Sequence, residues 1–163
     1  MTEVTHFDES GASRMVNVAT KEVTLRMARA ESCVRMQAST AALIQDRQIA
    51  KGDVLEVARL AGIMAAKRTG DLIPLCHPLG IDGVELALEF LDKTTLRIEA
   101  TVTVHGRTGV EMEALTAVTV AGLTVYDMCK AVDRGMQLGM TRLLEKSGGR
   151  SGHYVADELK AEG

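Results

Sequence analysis

Aromatic residues are nearly missing from this chain: 163 residues include two Phe, two Tyr and no Trp. Formal net charge is −3. Proteins that grip nucleic acid stack bases on aromatic rings and carry basic grooves, so the absence of both excludes that class of partner. Cysteine is also scarce. Cys33, Cys76 and Cys129 lie far apart with no CxxC spacing, which excludes a disulfide framework and a structural zinc site. Long hydrophobic runs are lacking too. The longest uncharged stretch, Ala114 to Tyr126, includes Thr116, Thr119 and Thr124 and is too short to span a bilayer. The opening segment "MTEVTHFDES" is acidic and has no continuous apolar core, unlike a secretory signal. A cytoplasmic protein is the expectation.

Proline is the most telling shortage. Both prolines, Pro74 and Pro78, sit in "LIPLCHP", where they flank Cys76 and His77. Proline fixes φ and drives the preceding residue toward extended geometry, so the segment is stiff and presented. Three chemistries suit it: a metal site, a Cys-His catalytic pair, or the rigid wall of a pocket. Adjacent side chains on an extended backbone point apart, which argues against a Cys-His pair. No second thiolate stands at zinc spacing. A buried Cys beside a satisfied His remains the bland alternative to a wall that offers His77 to a ligand.

What the chain does have is 46% hydrophobic and 25% charged residues, ordinary for one globular domain with a sizeable core. Residues 1–13 and 153–163 are predicted to be loose tails around a single domain at 14–152. Val23, Leu25, Met27, Cys33 and Val34 suggest an extended segment, and "STAALIQDR" from Ser39 a short helix. Asp53, with Glu56 three residues on, reads as an N-cap with its reciprocal acid, opening a helix to about Arg68. Val84, Leu86, Leu88 and Phe90 alternate with acids. Leu96, Ile98, Ala100, Val102 and Val104 alternate with polar residues, and Asp92-Lys93-Thr94 joins the two strands as a hairpin. A helix over roughly 111–133 and a strand from Met136 complete the order β, helices, β, β, helix, β. That order is the split βαβ arrangement of a ferredoxin-like α+β domain, an antiparallel sheet with helices on one face.

Four charged constellations could carry chemistry. In "GRTGVEMEAL", Thr108 and Glu111 match a capping box. Glu113 shares a face with Glu111 only if the helix entry is extended, and both acids suit a helix N-terminus without any function. In "YDMCK", Asp127 and Lys130 are helical neighbours that interrupt the most apolar helix. Beside apolar packing each would perturb the other's pKa, as acid-base work requires, although exposed pairs of this kind are commonplace. Lys51, Lys67 and Arg68 flank the capped helix. Finally, "KSGGRSG" puts Lys146 and Arg150 in a glycine-rich run that lets backbone N–H groups approach phosphates, though it lacks the P-loop pattern.

Taken together, "KGDV", "AGIMAAKRTGDLIPLCHPL", "TGVEMEALTAVTVAGLTVYDMCKAVD" and "LLEKSGGRSG" closely resemble the molybdenum cofactor biosynthesis protein C family, the cyclic pyranopterin monophosphate synthases. The resemblance runs from about Met15 to Gly152 and implies a ferredoxin-like fold. It also implies conversion of a 3′,8-cyclised dihydro-GTP to cyclic pyranopterin monophosphate with release of diphosphate. By resemblance Asp127 and Lys130 are the catalytic pair. Leu75, Cys76, His77, Met112 and Glu113 hold the substrate, and Glu111, Lys51, Lys67, Arg26 and Lys146 complete the pocket. No tightly bound cofactor or metal is implied, and Mg²⁺ accompanying the triphosphate is left open. Asn17 stands where the family commonly has Asp, and Gly70 where a side chain is usual. Arg107 and Arg150 replace lysines and keep the charge. Two rivals remain: a non-catalytic nucleotide-binding regulatory module on the same fold, and a hydrolase built on the Cys76 thiol.

The partners expected are the small-molecule substrate and further copies of the chain. In a continuous helix Glu113 and Asp127 stand about 21 Å apart, too far to touch one reacting ring. A site shared across a two-fold axis removes the conflict, and Ala117, Ala121 and Gly122 are small enough for two helices to approach closely. The resemblance implies a hexamer built from dimers. Within one chain, a helix broken near Gly122 is the alternative.

Overall fold

The computed structural model describes residues 10–157. Its elements are β1 (Thr24–Arg35), α1 (Ala38–Gln45), α2 (Val54–Ala66), α3 (Thr69–Leu72), β2 (Gly83–Phe90), β3 (Thr95–Gly106), α4 (Glu111–Cys129), β4 (Gln137–Ser147) and β5 (Tyr154–Val155). The five strands form one sheet in the order β2-β3-β1-β4-β5, and every neighbouring pair is antiparallel. The first four strands have the ferredoxin-like split βαβ order, in an α+β domain.

Strand alternation sets the layers. On β3, Leu96, Ile98, Ala100, Val102 and Val104 are buried, and on β1 so are Ala28, Ala30 and Val34. These side chains form one core with Ala114, Ala117, Val118, Ala121 and Val125 of α4. Residues between them on the strands point to the opposite face, where charge covers the sheet. There Glu31 pairs with Arg97 at 2.9 Å and Arg142 at 2.8 Å.

Helix α2 begins as its sequence predicts, with Asp53 Oδ1 accepting from the Glu56 N–H at 3.2 Å. The reciprocal half of the box does not form, because Glu56 turns its carboxylate to Arg59 at 3.1 Å. The box expected from Thr108 and Glu111 is absent altogether: Val110 is the N-cap of α4, with no side-chain cap bond. Glu111 instead folds its carboxylate over Gly109, where any Cβ would collide with it.

Helix α4 is unbroken over 19 residues, so the alternative of a break at Gly122 falls. The role expected for its small residues also changes. Ala117 and Ala121 are fully buried, and they face α2 at Gly62, where a Cβ would meet Ala117 O at 3.0 Å and Ala121 Cβ at 3.4 Å. Gly122 packs against Leu138 and Val34. The small residues serve packing within the chain, where they bring α4 close to α2 and to the sheet.

Of the two expected tails, residues 1–9 and 158–163 lie outside those described. The C-terminal one is not loose at its start, because Tyr154 and Val155 pair with Lys146 and Glu145 as an edge strand. The Ala156 N–H also donates to Leu144 O at 2.8 Å.

Candidate active site

The loop that carries both prolines leaves α3 and runs to β2. It passes close over Gly70, where an added Cβ would lie 3.1 Å from Pro78 Cα, so the missing side chain at 70 lets α3 and the loop approach. The loop forms one wall of a cavity of about 300 Å³. Leu75, Cys76 and His77 face Met112, Glu111 and Glu113 of the first turn of α4 across it. Both Cys76 and His77 line the cavity despite their adjacency, so the segment forms part of its wall. Among the described residues no group of three or more His, Cys, Asp or Glu side chains could hold a metal ion.

Glu113 is 4% exposed. Burial pushes its carboxyl above the usual range, only partly offset by a hydrogen bond from its own N–H and reinforced by the charge of Glu111. Burial and the nearby Glu113 push the Cys76 thiol up as well. Cys33 is raised by burial and by Glu31, and the Cys129 thiol reaches about 11. A nucleophilic cysteine needs the opposite shift, toward thiolate. The surroundings of Cys76 do not favour its thiolate.

A second cavity of about 690 Å³ shares Lys21, Thr108, Gly109 and Glu111 with the first. Lys21, Arg26, Arg107, Lys146 and Arg150 line it against only two acids, Glu22 and Glu111. Arg26 donates from Nε to Gly106 O at 2.9 Å, and its guanidinium lies against Gly149 so closely that no Cβ fits there. Gly149 has φ +74°, a conformation that suits glycine. The glycine run thus folds back over Arg26, while Lys146 donates to the Ser151 hydroxyl. The buried Thr24 hydroxyl, which also lines this cavity, has no hydrogen-bond partner among the described residues. Neither Thr24 nor Lys21 stands out in the sequence: Thr24 is one of many threonines, and Lys21 lies in an aperiodic stretch. Asn17 accepts from the Ala19 N–H at 2.9 Å, a turn bond that needs a side-chain oxygen and no charge.

The other end of α4 carries a separate cluster. Lys130 Nζ donates to Asp127 Oδ1 at 2.6 Å. Lys51 Nζ, presented by a loop whose next residue, Gly52, has φ +106°, donates to Asp127 Oδ2 at 3.1 Å and to its carbonyl at 2.7 Å. The pair is exposed, not shielded by apolar packing: the Asp127 and Lys130 side chains are 60% and 52% accessible. The bonds from Lys130 and Lys51 hold the Asp127 carboxyl below its usual range, and the Asp127 partner pushes Lys130 up. In the single chain the Asp127 partner therefore favours the charged form of Lys130.

The residues singled out in sequence thus fall into three places. Leu75, Cys76, His77, Glu111, Met112, Glu113, Arg26 and Lys146 share the connected cavities. Asp127, Lys130 and Lys51 meet at the far end of α4. Lys67 stands in a recess of about 230 Å³ with Arg68, Asp71 and Pro78, which has Leu79 in common with the smaller cavity.

Residues 15–149 match the MoaC family. The chain is 65% identical over 151 residues to "Cyclic pyranopterin monophosphate synthase 3" of Mycobacterium tuberculosis H37Rv, covering 93% of this chain and 85% of that protein. It is 59% identical to the cyclic pyranopterin monophosphate synthase of Heliobacterium modesticaldum, over 97% of this chain and all of that one. The Desulfitobacterium hafniense protein of the same name is 57% identical over 98% of both chains.

Proposed function

The chain belongs to the MoaC family, and on that premise we propose that it is a cyclic pyranopterin monophosphate synthase, a lyase of molybdenum cofactor biosynthesis. Its substrate is the small molecule 3′,8-cyclo-7,8-dihydroguanosine 5′-triphosphate. The products are cyclic pyranopterin monophosphate and diphosphate. The observation that carries the assignment to this site is the pair of connected cavities, one acidic and partly apolar, the other cationic. Amine and amide N–H groups of a guanine-derived ring match Glu113 and Glu111, with His77 beside them. A triphosphate matches Arg26, Arg107, Lys146 and Arg150, since guanidinium and ammonium groups bind phosphate by charge-assisted bonds.

Closing the cyclic phosphate forms a new oxygen bond at the α-phosphorus and breaks the bond to the bridging oxygen, so diphosphate leaves. Each stage moves protons, from ring nitrogens when the purine opens and from the attacking hydroxyl when the phosphate closes. Asp127 and Lys130 are the proposed acid-base pair, with Lys51 fixing the carboxylate between two ammonium groups. Lys130, hydrogen-bonded to Asp127, enters this scheme in its charged form.

The unbroken α4 keeps Glu113 and Asp127 about 21 Å apart, so the proposal extends to a homo-oligomer with sites shared between two chains, assembled as a trimer of dimers. Any Mg²⁺ enters with the triphosphate, and no cofactor is held by the protein. The proposed location is cytoplasmic; among the described residues no helix is long and apolar enough to cross a membrane. Incubating the protein with the cyclised substrate tests the assignment. Release of diphosphate together with the cyclic product is expected, whereas binding without turnover would identify a nucleotide-binding regulatory module.

A further inference from the structure

Asp82 and His105 stand where the two walls of the smaller cavity begin. The wall bearing Leu75, Cys76, His77 and Leu79 enters β2 just after Asp82. The wall bearing Thr108 and Gly109 leaves β3 just after His105. The Asp82 N–H donates to Thr103 O at 3.0 Å, which carries the β2–β3 pairing one residue toward the loop. A single carboxylate oxygen, Asp82 Oδ2, then accepts from the His105 main-chain N–H at 2.6 Å and meets the His105 ring Nδ1 at 2.8 Å. Neither residue lines either cavity, so neither reaches a ligand there.

The loop has little else of this kind to hold it. Among the described residues its main-chain hydrogen bonds include the turn inside the loop, from the Cys76 N–H to Ile73 O, and the Asp82 bond to β3 just given. Between them lie five residues, 77–81, among which Pro78 fixes its own φ and biases His77 toward extended geometry. Leu79 and Ile81 pack against the core and Pro78 lies against Gly70, while Asp82 is where the far end of the wall is hydrogen-bonded to β3.

We propose that Asp82 and His105 are a positioning pair for this site: the carboxylate fastens the His77-bearing loop to the turn that presents Arg107 and Thr108, and so sets the width of the substrate cavity. The kinetic consequence rests on the function proposed above, whereas the effect on loop order does not.

The test uses the full-length protein with Asp82→Ala, Asp82→Asn and His105→Leu, and two readouts. One is KM and kcat with the cyclised dihydro-GTP. The other is the alkylation rate of Cys76 by iodoacetamide, followed by mass spectrometry of its peptide. Losing the two bonds should raise KM about three- to tenfold with kcat within about twofold, and should speed Cys76 alkylation by a similar factor. Asp82→Asn should restore both readouts, because one oxygen takes both bonds and an amide oxygen serves as well. His105→Leu removes only the ring bond and should give a smaller shift in the same direction. It supplies the same comparison if the alanine variant does not fold. Wild-type KM with wild-type alkylation in Asp82→Ala, or an asparagine variant no better than alanine, would overturn the proposal. If the unaltered protein turns nothing over, the functional assignment fails by itself, and the alkylation rates still decide the clamp.

Discussion

A carboxylate held between two ammonium groups and a carboxylate buried without one behave oppositely, and α4 carries both. The Asp127 carboxyl is lowered, so its ion pairs are present above the ordinary carboxylate range and are lost as pH falls through the depressed folded value. Lys130 is raised, so its share is present below the ordinary lysine range and lost as pH rises through the elevated value. The pair is therefore intact across neutral pH. As an exposed pair it does little for stability. Asp127→Asn and Lys130→Ala should each lower turnover by about 10²–10⁴ while leaving the melting temperature almost unmoved; near-wild-type rates in either would remove the acid-base assignment. Glu113 is the reverse case. Its raised carboxyl favours folding fully below the ordinary glutamate value, and that advantage is lost as pH rises through the folded one. At neutral pH the buried charge costs stability, so Glu113→Gln should lose activity yet raise the melting temperature by about 2–4 °C, the equivalent of about 1 kcal/mol in a chain of this size. A lower melting temperature would show that the carboxylate is compensated where it lies.

Between elements, the contact of α2 with α4 is governed by Gly62. Alanine is the better helix former by about 1 kcal/mol, and on propensity alone Gly62→Ala would stabilise. The new Cβ would however stand 3.0 Å from Ala117 O, a backbone atom that cannot swing aside. Overpacking of this kind costs about 1–3 kcal/mol. The expected outcome is a net loss, seen as a melting temperature lower by about 2–4 °C per kcal/mol. A gain in stability would mean that the two helices slide apart freely. The same close approach buries Ala117 and Ala121 of α4, and the unbroken helix fixes how far apart its two ends project.

For the whole molecule the decisive quantity is the length of that helix. With Glu113 at one end and Asp127 with Lys130 at the other, neither end can complete the chemistry proposed for both. Mixing Glu113→Ala with Lys130→Ala, each inactive alone, tests the sharing of sites between chains. After subunit exchange about half of the dimers are mixed and each keeps one intact site, so roughly a quarter of wild-type activity should return. Exchange shown by mass spectrometry with no recovery of activity would place the site within one chain.

Strand periodicity, the Asp53 cap and the two-proline loop each depend on residues close in the chain, and all three are legible in the sequence by itself. Alternation over Leu96–Val104 determines which face of β3 is buried, because pleating turns successive side chains to opposite sides whatever lies around them. The motif strings identify the family for the same local reason: each carries its chemistry within a few consecutive residues. Tertiary structure alone decided the rest. The expected cap from Thr108 is absent: Val110 takes the N-cap position, and Glu111 folds its carboxylate over Gly109. The small residues of α4 turned inward because α2 was there to receive them. Lys21 and Thr24 joined the cationic cavity because a turn from residue 107 and a glycine run from residue 148 close over them, contacts between segments more than 80 residues apart. Burial, and with it the opposite fates of the Glu113 and Asp127 carboxyls, is a property of what packs around a side chain, and no spacing along the chain records it.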